Sequence, residues 1–247
     1  MRIGITGSSG FVGSRLLKVL PNSEPYNPDV TYDVIVHLAG ENIASSRWSD
    51  EKKEKILRSR IDSTRALAKN PPKILICASA ITEPGTFLDQ VRQEWENAAD
   101  SVGAKRTVKT RFGVIISKDG GALAKMLPIF KLGLGGRLGD GSQPFIWIAL
   151  NDVISGIKYC IENEVSGGID FCSKNTITNS EFTKILAKHL HRPAFFHMPK
   201  AFLRLIFGQM GDEIFLSHPS CNGTPLVDTG YTLQMPDIHM PLERASK

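Results

Sequence analysis

Arg2-Ile3-Gly4-Ile5-Thr6-Gly7-Ser8-Ser9-Gly10-Phe11-Val12-Gly13 opens the chain and runs into Ser14-Arg15-Leu16-Leu17-Lys18-Val19-Leu20. Ile3 and Ile5 predict a strand buried on both faces. Gly7, Gly10 and Gly13 predict a tight turn into a helix whose inward stripe is Phe11, Val12, Leu16 and Leu20. Glycine lets the chain turn at positive φ, brings backbone close to a pyrophosphate, and lets helix pack near strand. The unpaired N–H groups at the helix start then face the phosphates. Directly after a strand and directly before a helix, these glycines predict a dinucleotide site rather than a plain structural turn.

At 247 residues the chain suffices for one α/β domain of ordinary size with a small appended lobe. Hydrophobic residues make up 41% and charged residues 22%, which excludes a disordered chain. The net charge of +5 and pI near 9.0 suit a small anionic ligand as well as nucleic acid, and decide nothing alone. Cys77, Cys160, Cys172 and Cys221 contain no CxxC pair and are expected to be reduced core thiols of a cytoplasmic protein. The first strand leaves no room for a leader after Met1, and Lys125, Lys131 and Arg204 interrupt the longest apolar runs, so no membrane association is expected.

Pro21 to Tyr32 carries no convincing strand, although a dinucleotide fold places its second strand there, ending in an acid or arginine for the ribose. Asp29 is the only acid near that distance, in a poor setting. Asp33 to Gly40 predicts a buried strand ending in the small residues Ala39 and Gly40. Ser49 caps a helix whose inner face is Leu57, Ile61, Thr64 and Ala68; its lysines and arginines, interspersed with acids, read as a solvated face. Lys73 to Ala80 is a further strand, 94–99 looks helical, and Thr110 to Ile116 is the next strand. Gly120 to Gly141 reads as a loop-rich crossing over a pocket. A helix beginning at Asn151-Asp152 turns Val153, Ile157 and Cys160 inward, and a strand covers 168–172. Thr178-Asn179-Ser180-Glu181 is a capping box for a helix with Phe182, Ile185, Leu186 and Leu190 on one stripe. From Arg192-Pro193 onward, short apolar segments separated by Pro and Gly suggest a small C-terminal lobe.

Strand, glycine turn and helix, followed by strands ending Leu38-Ala39-Gly40 and Ala78-Ser79-Ala80, resemble the extended short-chain dehydrogenase/reductase superfamily. Gly40-Glu41-Asn42-Ile43, Arg47-Trp48-Ser49, Ser59-Arg60-Ile61-Asp62-Ser63-Thr64-Arg65, Leu132-Gly133-Leu134-Gly135-Gly136 and His191-Arg192-Pro193 narrow this to its atypical epimerase-like branch, which ends in a small domain of unknown function. The resemblance implies a Rossmann-type doubly wound parallel sheet over 1–190 and a small C-terminal lobe over 191–247 covering a small-molecule substrate. It also implies bound NADP(H), with NAD(H) as the alternative. The carry-over assigns phosphates to Gly7, Ser9, Gly10, Phe11, Val12 and Gly13, and the adenosine half to Leu38, Ala39 and Gly40. Glu41 and Arg47 become further cofactor contacts, Ser79 the active-site serine, and Gly113 and Val114 neighbours of the nicotinamide. A homodimer through 49–69 and 88–100 is expected by analogy.

The superfamily's chemistry uses a tyrosine four residues before a lysine, whose charge lowers the phenol pKa. Tyr26, Tyr32, Tyr159 and Tyr231 are followed at that spacing by Val30, Val36, Asn163 and Met235, so the pair is absent. Ile81 to Thr86 is also shorter than the tyrosine-containing segment of relatives. Ser79 either polarises a carbonyl or closes a strand end, and Glu83 either replaces the phenol or is a solvated loop acid. Arg47 and Arg137 are phosphate-contact candidates; His189, His191 and His197 lack partners at metal spacing, and no metal or nucleic acid is expected. Two functions remain open: an oxidoreductase or epimerase with an eroded site, and a non-catalytic cofactor sensor or protein-interaction scaffold.

Overall fold

In the computed structural model, which describes residues 1–246, β1 (Ile3–Thr6) lies one place in from the edge of a seven-stranded parallel sheet. After α1 (Gly13–Val19), β2 (Ser23–Pro25) forms that edge, giving a short strand where the sequence shows none. β3 (Val34–His37) pairs on the other side of β1, so the order reverses between β1 and β3. Ligands of open α/β sheets bind at such a switch point, outside the carboxyl ends of the strands. The link from β2 to β3 contains no helix. Instead Tyr32 crosses β1 at Gly4, where a β-carbon would lie 3.0 Å from the ring.

The sheet continues through α2 (Asp50–Ala66), β4 (Ile74–Ala80), α3 (Phe87–Asp100) and β5 (Arg106–Phe112). Ser49 caps α2 by accepting from Lys52 N, as its position predicts, although Ile56 is buried where Leu57 was expected. The predicted strand over 110–116 divides at Gly113. β5 belongs to the main sheet, whereas β6 (Val114–Ile116) pairs with β8 (Trp147–Ala149). A β-carbon at Gly113 would sit 2.8 Å from Ile146 O, so this step needs glycine. The crossing segment holds a helix that its flanking glycines concealed, α4 (Gly121–Lys131), and β7 (Pro144–Phe145) follows.

α5 (Leu150–Glu162) leads to β9 (Gly167–Phe171), which extends the sheet beside β5; β10 (Ile177–Thr178) pairs with β7. The capping box is formed at α6 (Asn179–His189), where Phe182, Thr183 and Leu186 are buried. α7 (Lys200–Phe207), α8 (Gln209–Phe215), β11 (Thr224–Pro225) and α9 (His239–Ser246) complete the chain. Residues beyond 190 do not stay apart. β11 pairs with β9 as the far edge of the main sheet, and Ile238 and Leu242 pack with Phe182 and Trp147.

One sheet face, with Ile5, Val36, Ile76 and Val108, packs on Leu16 of α1 and on α5. The other, with Ile35, Leu75 and Cys77, meets Trp95 of α3 and Leu67. Period-two burial on both faces explains why these strands read as continuous apolar runs. Phe207 and Met210 pack against Trp48, Ile56 and Val91, joining α7 and α8 to the starts of α2 and α3. No helix among the described residues is long and apolar enough to cross a membrane.

Candidate functional site

The glycine turn sits at the switch point. Gly7 has a φ of +65°, and a β-carbon there would lie 2.9 Å from the Leu38 carbonyl carbon. A β-carbon at Gly13 would lie 2.3 Å from Gly7 O, so these two glycines let turn, helix and β3 end nest together. Gly10 differs: among the described residues a β-carbon there would meet only Gly7 O, at 3.1 Å, and its other side is open. Gly10 N closes the turn onto Gly7 O, while Phe11 N and Val12 N have no protein acceptor among the described residues. Ser9, Gly10, Phe11, Ser14, Arg15 and Lys18 line much of an open cleft of about 490 Å³ there. Free donors, exposed glycine and two cations suit an anionic ligand.

Thr6 fixes the neighbouring segment. Its Oγ1 accepts from Leu38 N at 3.1 Å and Ala39 N at 3.2 Å, leaving its own proton for His37 Nδ1 at 2.7 Å. Ser63 spends its proton on Ser59 O, so it accepts from His37 Nε2 at 3.3 Å. This assigns the tautomer by elimination of donors. Burial holds His37 down to about 4, so it is neutral near pH 7. Behind Gly40 lies the Arg60 guanidinium, which donates to Ile56 O and stands 5.1 Å from the Trp95 ring centre.

Glu41 and Arg47 are committed to protein partners. Glu41 pairs with Lys52 and Lys55, and the Lys52 bond holds its carboxyl below the ordinary value. Arg47 donates to Leu205 O near the end of α7. Gly113 N donates to Phe171 O and Val114 N to Ile146 O, which fixes the step out of the sheet. Ser79 is buried at 4% exposure and donates to Glu96 Oε1 at 2.7 Å.

Glu96 centres a cluster that its sequence setting did not reveal. Arg111 grips it with two 2.7 Å bonds, and Arg92 approaches to 3.6 Å while also bonding Asp89 and Thr82. Burial opposes ionisation of Glu96, but the bonds from Arg111 and Ser79 and the charges of Arg111 and Arg92 outweigh it, so the carboxyl titrates below its ordinary value. Asp89, Arg92 and Glu96 fall at i, i+3 and i+7 of α3, a spacing that puts them on one face. That spacing was the available signal. In the short loop after β4, Thr82 donates to Asp89 and Glu83 accepts from His218 N. Glu213 of α8 accepts from Phe87 N and Leu88 N, capping α3 from the C-terminal region.

No family model matches the sequence. The chain is 30% identical to the mouse epimerase family protein SDR39U1 over 290 residues, covering 98% of this chain and 99% of that protein. The chain belongs to this epimerase family. The alignment spans 290 positions against the 247 residues of this family member, so stretches of the mouse protein face gaps here. An epimerase family protein of Mycobacterium bovis, Mb2239, is 33% identical over 260 residues, covering 85% of this chain and 86% of that one. The crystal structure of human SDR39U1 isoform 2 with NADPH superposes with a TM-score of 0.90 at 27% identity, over 100% of this epimerase-family chain and 99% of that one. A nucleoside-diphosphate sugar epimerase of Corynebacterium glutamicum gives a TM-score of 0.60 at 25% identity, covering 100% of this chain and 65% of that one.

Proposed function

We propose that this epimerase-family chain binds NADP(H) at the glycine turn, accepts NAD(H) there, and acts as an oxidoreductase or epimerase on a small molecule. The reading rests on the free N–H groups of Phe11 and Val12 above Gly10, in a chain similar end to end to a protein crystallised with NADPH. Gly7, Ser9, Gly10, Phe11, Val12 and Gly13 hold the pyrophosphate, Leu38, Ala39 and Gly40 flank the adenosine, and Gly113 and Val114 approach the nicotinamide. Bound nicotinamide supplies hydride transfer. Glu96 accepts the Ser79 hydroxyl's hydrogen bond, so toward substrate the Ser79 oxygen accepts a hydrogen bond from a substrate hydroxyl. The C-terminal region that carries α7 and α8 forms the cover over the substrate, and the protein works in the cytoplasm.

No Lys or Arg occurs from Pro25 to Asp33, where the chain leaves β2 and a 2′-phosphate is recognised in this type of fold. The expected preference for NADPH over NADH is therefore less than about tenfold. Calorimetric titration of the purified protein with each dinucleotide tests this. Saturable binding of both, NADPH the tighter, supports the reading; binding of neither overturns it.

The second reading is a non-catalytic cofactor sensor. It is favoured by the Ser79 proton being held by Glu96 and by the absent tyrosine–lysine pair. Stereospecific hydride transfer that Ser79→Ala abolishes would remove it.

A further inference from the structure

Cys172 and Cys221 stand 49 positions apart, yet their Sγ atoms lie 3.4 Å from each other. Cys172 directly follows β9 and is buried; Cys221 lies between α8 and β11 and is exposed. Cys77 and Cys160 are buried, and burial pushes both thiols up. Cys221 is the opposite case, since the bond from Cys172 lowers it and favours its thiolate. The same bond, followed by burial, raises Cys172.

The surrounding chain is anchored. Gly223 N donates to Asp170 Oδ2 at 2.7 Å, and His218 N donates to Glu83 at 3.0 Å. The segment from 216 to 223 thus spans from the end of β9 to the short loop after β4, with Asp170 lying beside Arg111 of the Glu96 cluster.

We propose that Cys172 and Cys221 are a reversible disulfide site whose co-reactant is a hydroperoxide. The Cys221 thiolate attacks a peroxide oxygen and the O–O bond breaks; the departing hydroxide takes a proton and leaves as water. The resulting Cys221 sulfenic acid is attacked by the Cys172 sulfur. The S–O bond breaks, the Cys172 proton goes to the departing oxygen, and a second water forms. Two thiols lose two electrons and one hydrogen peroxide becomes two waters. Bond formation brings the sulfurs to about 2 Å, a side-chain-sized movement from their present separation. The closed ring contains α6, α7 and α8, so the bond staples the C-terminal region to the sheet beside the candidate site.

The test uses the full chain treated with hydrogen peroxide, then read by intact mass and by peptide mapping without reductant. The expected result is loss of two hydrogens, a cross-linked peptide pair containing Cys172 and Cys221, and full reversal by dithiothreitol. Cys172→Ser is expected to stop at a sulfenic acid on Cys221 that dimedone traps, and Cys221→Ser to leave Cys172 alkylatable once unfolded. Oxidation of wild-type Cys221 with Cys172 remaining a free thiol would overturn the proposal. So would no mass change, or the same two-hydrogen loss in either single variant.

Discussion

Asp170 is the residue whose ionisation works against the fold. Burial raises its carboxyl above the ordinary value, Gly223 N bonds one oxygen, and Oδ1 is buried with no hydrogen-bond partner among the described residues. A raised acid contributes stability below its unfolded value of 3.8 and loses that contribution as pH climbs through the folded value. Asp170→Asn keeps an acceptor for Gly223 N and removes the charge. The expected outcome is a higher Tm than wild type at about pH 7, with the difference closing near pH 4; equal melting curves at both pH values would refute it. Glu96 and Asp89 have the opposite sign, since both carboxyls are depressed. Their contributions are present at neutral pH and fade as pH falls through the depressed values.

Turn and helix meet at glycines that are not equivalent. Gly13→Ala forces a methyl against Gly7 O and is expected to destabilise the fold by about 1–3 kcal/mol. Gly10→Ala meets only one atom, so its methyl projects into the open cleft. It is expected to weaken dinucleotide binding about tenfold or more while the Tm stays within about 2 °C. Parallel calorimetry and thermal melts on both variants check the contrast; an unaffected affinity in Gly10→Ala would sink it. The first strand, the glycine turn, the Ser49 cap and the Thr178 box were legible because each is a local signal of a few adjacent residues. The break at Gly113 was not, because it depends on Ile146, 33 positions further along the chain. α4 was hidden by glycines on both sides, and the Glu96 cluster by charges that read equally well as a wet helix face. The thiol pair needed the register of β9 and β11.

On the scale of the molecule, Asp152 fastens the last part of the chain to α5. Fully buried, it accepts from Tyr231 Oη at 3.0 Å, Gln234 N at 2.6 Å and Met235 N at 3.0 Å. Burial above all pushes the Tyr231 phenol up to about 12, so it stays a donor near pH 7. Asp152→Ala leaves the backbone donors of Gln234 and Met235 without their acceptor, at a cost of about 2–4 kcal/mol. Limited proteolysis should then cut first between 226 and 238; first cleavage elsewhere would show that Asp152 is not the fastening.

The order of the sheet has a consequence for synthesis. β9 is made by residue 171, but the strand that covers its outer edge arrives only with Thr224 and Pro225. A growing chain therefore exposes a bare strand edge for some fifty residues, about 3–10 s at ordinary elongation rates. During that interval, another nascent chain can pair where β11 belongs.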